Sequence, residues 1–291
     1  MSLRFMLRAG LMAVLGLLVP PVEATFHFMQ IEQVIGGVNG DTAAQAIQLR
    51  MRTSAQNQVS QARIYAWDAN GANPVLIINF AQNVPNATTG DRVLIGTPAF
   101  VAMTSPNAVA NFMMTNPIPV SYLAAGSLTF EDDFETVYWR LSWGGAGYTG
   151  STLGDSTNDN DPGFGLAEFG PPFAGPLPST TLQALRFSGA ANALSTSNAA
   201  DYSLTAEAAV FRNNARNNFT VVAPEPILGD IDGDGDVDLD DYVRCVGCLA
   251  GPGELMRPAE CSESDFMACD IEPDGDVDVS DFAELSLLTS P

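Results

Sequence analysis

The sequence predicts a mainly β protein: an antiparallel β-sandwich over residues 25–222, then a linker (223–229) and a small α-helical module (230–291) built on a duplicated acidic loop. Three observations predict it. Short apolar segments separated by Gly, Asn, Asp and Pro fill the central region. The composition changes abruptly at VVAPEPILG (221–229), which marks a linker. Beyond it, DIDGDGDVDLDD (230–241) recurs 40 residues later as DIEPDGDVDVSD (270–281), with eight of twelve positions identical.

The chain starts with Arg4 and Arg8 ahead of an eleven-residue apolar run, Ala9 to Val19. That run falls short of the roughly 20 residues a bilayer span requires. A Pro-Pro break and Val22-Glu23-Ala24 follow, with small residues where a signal peptidase cleaves. Residues 1–24 are therefore expected to be a removable signal peptide. The mature protein is expected to be secreted or held at the cell surface by binding, with no transmembrane segment.

Seven segments between 25 and 222 read as strands: 26–35, 46–52, 62–68, 74–80, 92–96, 135–143 and 182–188. They are rich in β-branched and aromatic residues, and several alternate apolar with polar side chains, as expected where one sheet face is buried and the other wet. The alanine-rich stretch 102–114 is expected to hold at most a helical turn. IEQVIGG (31–37) and AIQLRMR (46–52) resemble the immunoglobulin-like lamin-tail modules of exported bacterial proteins, which implies a β-sandwich.

Catalytic constellations are scarce in this region. The single histidine, His27, sits near the expected mature terminus and reads as structural or exposed. Glu131, Asp132, Asp133 and Glu135 read as a solvated hairpin turn, and Asp155, Asn158, Asp159 and Asp161 as a surface loop without the spacing of a calcium site. A polysaccharide-active enzyme, a glycoside hydrolase, would need two of Glu131, Asp133 and Glu168 facing one another about 5–9.5 Å apart. Trp67, Trp139, Trp143 and Tyr148 are expected mostly in the core; aromatics aligned on one exposed face would instead favour carbohydrate binding.

Charge concentrates in the tail. The chain carries a net −22, of which residues 227–291 hold 18 Asp or Glu against Arg244 and Arg257. All twelve basic residues are Arg, and no basic patch suited to nucleic acid is present. Cys245, Cys248, Cys261 and Cys269 also lie here; in an exported chain they are expected to form disulfides, with three connectivities open.

A disordered acidic tract has no reason to preserve a register, whereas calcium takes six to eight oxygens from positions 1, 3, 5, 7, 9 and 12 of a twelve-residue loop with Gly at position 6. The first copy places Asp230, Asp232, Asp234, Asp236, Asp238 and Asp241 there, with Gly235 at the turn. The second places Asp270, Glu272, Asp274, Asp276, Asp278 and Asp281, with Gly275. Position 7 is expected to contribute its backbone carbonyl, position 9 to act through water, and Val237 and Val277 to pack between the loops. The spacing predicts two Ca2+ sites, the second weaker because Glu272 is longer and Pro273 stiffens its loop.

Helical patterns follow each loop, at 239–251 and 279–290, with Tyr242, Cys245 and Cys248 aligned on Phe282, Leu285 and Leu288. Position 12 is Asp rather than Glu, and Pro224 and Pro226 leave little room for a helix entering the first loop. This loop-then-helix duplication over 229–290 resembles the type I dockerin module, in the variety found on exported planctomycete proteins. The resemblance implies a calcium-folded plug that binds a cohesin-like partner or tethers cargo at a cell surface, in association with polysaccharide breakdown. In that family, partner choice lies largely at loop positions 10 and 11 and on the following helix. Here they are Leu239-Asp240 and Val279-Ser280, in place of the Ser-Thr pairs common in cellulosomal members.

Overall fold

The computed structural model describes residues 26–154, 168–191, 196–223, 228–232 and 236–288. The expected signal peptide, the donors Asp155, Asn158, Asp159 and Asp161, the linker prolines Pro224 and Pro226, and Asp234 and Gly235 lie outside them. The chain divides after Ala223 into two compact units.

The first unit is mainly β. Among the described residues its strands are β1 (Met29–Ile35), β2 (Ala46–Met51), β3 (Ala62–Trp67), β4 (Val75–Asn79), β5 (Arg92–Gly96), β6 (Thr104–Ser105), β7 (Phe112–Met113), β8 (Gly126–Asp132), β9 (Val137–Trp143), β10 (Leu185–Phe187), β11 (Tyr202–Leu204), β12 (Val210–Arg212) and β13 (Asn218–Val221). They form three sheets in the orders β11-β10-β1-β2-β5-β7, β4-β3-β8-β9 and β12-β13-β6. Pairings are antiparallel except β5 with β7. All seven expected strands are present, β5 with the expected bounds and the other six trimmed at one or both ends.

The six- and four-stranded sheets share one apolar core. Met29, Ile31, Ile47, Leu49, Val93 and Ile95 from the first meet Ile64, Leu128, Phe130, Trp139, Leu141 and Trp143 from the second. The Tyr202 hydroxyl joins the two sheets, accepting from Trp139 Nε1 at 2.8 Å and donating to the Ile31 carbonyl.

The expectation of a wet outer face fails for the six-stranded sheet. Its second face packs Ile35, Ala46 and Leu94 against Phe211, Phe219 and Val221 of the three-stranded sheet and Phe100 of a short helix, α1 (Pro98–Ala102). The carboxylate caught in this second layer is paired: Glu32 accepts from Arg92 Nε at 2.6 Å and Nη2 at 2.9 Å, and from Gln48 Nε2 at 2.7 Å, whereas both side-chain polar atoms of Gln30 are buried without a hydrogen-bond partner among the described residues. Such pairing offsets the cost of burying a carboxylate. The stretch 102–114 is not helical beyond Ala102; it supplies β6 and β7 instead. The helical turn forms just before it, where Thr97 Oγ1 accepts from the Phe100 N–H and Pro98 sits in the first turn. A second short helix, α2 (Asn198–Asp201), leads into β11.

Asp91 ties the loop before β5 to the turn between β12 and β13. It is buried and accepts from Arg216 Nε at 2.8 Å, Arg216 Nη2 at 3.1 Å and the Thr88 N–H at 2.8 Å. The Arg216 guanidinium, aided by the Thr88 N–H and opposed by burial, holds the Asp91 carboxyl below its usual range. A carboxyl depressed in the fold contributes stability that is present above its unfolded pKa and lost as pH falls through the folded value. Acid unfolding of the β unit is therefore expected to have a smaller slope below about pH 4 in Asp91→Asn than in the parent. Identical slopes in a pH-dependent urea series would contradict this.

Among the described residues of the second unit three helices surround a small core: α3 (Leu239–Val246), α4 (Glu263–Cys269) and α5 (Val279–Leu288). Asp238 caps α3 in a reciprocal capping box with Asp241, and Ser262 caps α4 through the Asp265 N–H at 3.0 Å. Helix α4 was not expected. It ends at Cys269, directly before Asp270, so the second loop has a helix on each side. Val237 and Val277 are buried together with Cys245, Cys248, Cys261, Cys269 and Leu285, and Tyr242 lies beside Phe282 at 6.1 Å. Equivalent positions of the two copies thus build one core.

Candidate metal centre

The backbone first brings acidic side chains together at the loop ends. Position 12 of each loop is the first turn of a helix, and its carboxylate turns back onto the loop. Asp241, buried, accepts from the Ile231 N–H at 2.6 Å, the Asp232 N–H at 3.1 Å and the Asp238 N–H at 2.8 Å. Asp281, also buried, accepts from the Glu272 N–H at 3.1 Å and the Asp278 N–H at 2.8 Å. Burial pushes the Asp241 carboxyl up, but the N–H groups of Asp238, Asp232 and Ile231 and the charge of Arg244 together hold it below the usual range. Gly275 adopts φ +94°, the left-handed conformation that its sharp turn requires and that a side chain would strain.

Around these anchors the carboxylates gather. Oxygens of Asp230, Asp232 and Asp241 lie within 4.8 Å of one another, as do those of Asp236, Asp238 and Asp241. Asp241 is common to both groups, so both halves of the first loop converge on it. In the second loop Asp276, Asp278 and Asp281 form the corresponding group.

Three expected ligands of the second loop stand outside that group. Asp270 accepts from the Asp274 and Gly275 N–H groups, each at 3.1 Å, and Asp274 accepts from the Asp276 N–H at 3.2 Å. Glu272 is exposed. At position 7 the side chains of Asp236 and Asp276 join the clusters, a role that loop spacing assigned to the backbone carbonyl. Asp276 is 5 % exposed; its Oδ2 accepts from the Gly253 N–H at 2.6 Å, while its Oδ1 is buried without a hydrogen-bond partner.

This donor set fits a metal ion. All the clustered donors are carboxylate oxygens, the ligands of hard cations. Asp276, Asp278 and Asp281 are 5 %, 8 % and 1 % exposed. Burying uncompensated like charges this way is costly, and a bound cation offsets it. The acidic clusters could therefore hold a metal ion.

Two disulfides, Cys245–Cys269 and Cys248–Cys261, settle the connectivity that spacing left open. They tie α3 and the turn after it to α4 and the turn before it, so the inner face of the module is part covalent.

The candidates in the β unit are scattered. His27 stacks on Tyr138, ring centroids 4.5 Å apart. The 131–135 segment does turn a hairpin between β8 and β9, but it is not uniformly solvated: Glu131 is buried and pairs with Arg63 Nε at 3.0 Å. Burial raises its pKa, against the opposing pull of Arg63. Asp133 borders a different cleft, with Phe26, His27 and Tyr138, and exposed Glu168 borders neither. Trp139, Trp143 and Tyr148 are core residues, and Trp67 is half-exposed on the outer face of β3. Among the described residues no helix is long and apolar enough to cross a membrane.

Compared with protein-family models, curated proteins and solved structures, the chain matches none.

Proposed function

We propose that this is an exported, non-catalytic protein whose second unit is a dockerin-like module that binds two calcium ions and attaches the β unit, a sandwich, to a cohesin-like or cell-surface protein. The observation that carries the calcium reading is that carboxylates at positions 7, 9 and 12 cluster in both copies of a repeated loop, buried throughout in the second copy and around a buried Asp241 in the first. Asp230, Asp232, Asp236, Asp238 and Asp241 would hold one ion. Asp276, Asp278 and Asp281 would hold the other, with Asp234, Asp270, Glu272 and Asp274 in reach of the loops through sequence spacing. Calcium suits them better than magnesium because loops that offer oxygens at six positions match its six to eight ligands more readily than a strict, largely hydrated octahedron. The ion contributes by neutralising the loops, so that its binding energy becomes folding energy.

Attachment is supported by the outer face of α3. Leu239, Val243 and Val246 recur at helical spacing and are 73 %, 64 % and 61 % exposed, with Leu249 continuing the stripe just past the helix. The equivalent face of α5 carries exposed Val279, Ala283 and Ser286, a weaker apolar surface. A partner would match the α3 stripe with an apolar patch rimmed by basic residues, given the acidity of the module.

Treating intact cells with a calcium chelator is expected to release the protein. Val243→Asp is expected to release it with calcium still present and helicity unchanged. Retention under both conditions would refute attachment, and calorimetry showing no calcium uptake would refute the metal reading separately.

A further inference from the structure

On the outer face of the four-stranded sheet, strands β3, β8 and β9 set side chains into rows. Arg63 pairs across with Glu131, Tyr65 with Thr129, and Trp67 with Ser127; Thr129 in turn faces Arg140 on β9. Of these, Arg63, Tyr65, Trp67, Glu131 and Arg140, with Pro74, Glu135 and Val137, line an open groove of about 310 Å3, at the small end of the range for small-molecule sites.

Its floor is aromatic. Tyr65 and Trp67 are both half-exposed, with ring centroids 6.1 Å apart and planes tilted by 48°. Both rings are fixed: Trp67 Nε1 donates to Thr129 Oγ1 at 2.9 Å, and the Arg63 guanidinium lies 5.3 Å over the Tyr65 ring. Most of the rim is held too, although the Glu135 side chain is exposed. Arg63 bonds Glu131 at 3.0 Å and lies 3.8 Å from Glu135, while Arg140 Nε donates to the Leu153 carbonyl at 2.7 Å. A binding surface whose side chains are already held loses little conformational entropy when a ligand arrives.

We propose that this groove binds a neutral saccharide, its ring faces stacked on Tyr65 and Trp67 and its hydroxyls bonded at the rim by Arg63, Glu131, Glu135 and Arg140. Two arginines against two glutamates leave no net field to attract an ionic ligand. Donors and acceptors alternate around the rim, which suits vicinal hydroxyls, since each hydroxyl donates and accepts. A purely apolar ligand would bury those charged groups without replacing their hydration. Rings tilted to one another cradle a puckered sugar chain better than a single planar base. The site lies wholly in the β unit and does not depend on calcium in the second unit.

The test is calorimetry on the full chain with calcium, using cellotetraose, xylotetraose, mannotetraose and chitotetraose, with intrinsic fluorescence as a second readout. Trp139 and Trp143 are fully buried, so a saccharide-induced emission change reports Trp67. At least one oligosaccharide is expected to bind, equally well with chelator present. Trp67→Phe is expected to keep the affinity while losing the fluorescence change; Trp67→Ala and Tyr65→Ala are each expected to weaken binding about tenfold or more. Two separate truncations guard against one of them disturbing the sheet, which circular dichroism checks. Binding of none of the four sugars, affinity unchanged in both alanine variants, or tighter binding of adenosine would overturn the proposal.

Discussion

Chelating divalent cations is expected to abolish most of the helical signal of α3, α4 and α5 while the β unit keeps its far-ultraviolet signature and its urea midpoint. The cause is charge. Residues 227–291 hold 18 acidic side chains against two arginines, and the loops direct several carboxylates onto shared points. Without a cation, the buried carboxylates of Asp276, Asp278 and Asp281 repel one another with no opposite charge between them. Extracellular calcium modules work at about 10⁻⁴–10⁻³ M, and each site at a hundredfold excess over its Kd contributes about 2.7 kcal/mol. The disulfides modify the outcome. Cys245–Cys269 and Cys248–Cys261 span separations of 24 and 13 residues, and loops of that size remove about 3 kcal/mol of unfolded-state entropy each. The chelated, oxidised module should therefore lose helix yet regain it rapidly on adding calcium, and reduction combined with chelation should raise the calcium needed for recovery. A circular-dichroism titration with the same helicity in calcium and in chelator would sink the coupling.

Asp241→Ala is expected to be the most damaging single substitution in the second unit. Three backbone N–H groups from both ends of the first loop point at this one carboxylate, and both clusters of that loop include it. Removing it strands three part-buried donors, each at the low end of roughly 1–3 kcal/mol, so a loss of about 3 kcal/mol is expected before any effect on calcium affinity. Asp281→Ala, which strands two N–H groups, should cost less. Exposed Asp240 is the control, with Asp240→Ala expected within about 0.5 kcal/mol of the parent apart from its share of long-range charge. Urea unfolding in saturating calcium, followed by helical signal, checks the ranking; an Asp241→Ala midpoint close to that of Asp240→Ala would refute it.

Legibility followed how local each signal was. The seven strands that stood out in the sequence carry long alternating or apolar runs. β8 was missed although Leu128 and Phe130 alternate with Ser127 and Thr129, because the acidic residues that follow read as a turn and hid a strand ending at Asp132. β6, β7, β11 and β12 are two or three residues long; they are strands only because a neighbour pairs with them. Helix α4 was missed for a related reason, since its short acidic sequence ESDFMAC gains helicity from the Ser262 cap and from the Cys269 link.

The sequence by itself determined where the acidic loops lie, which side chains alternate inward along the longer strands and that the two copies would present matching apolar positions. Those properties depend on periodicity and composition, which survive without knowledge of what packs against what. Tertiary structure alone decided the rest. It covered both faces of the six-stranded sheet, so that Glu32 and Gln48 had to find partners inside. It chose one cysteine pairing of three, drew the side chains of positions 7, 9 and 12 together, and left Asp270 to cap its own loop. Sheet covering and cysteine pairing arise between residues far apart in the chain, and no local pattern encodes which distant surface will meet them; within the loops the partners are near in sequence, but which oxygens converge depends on how the backbone turns.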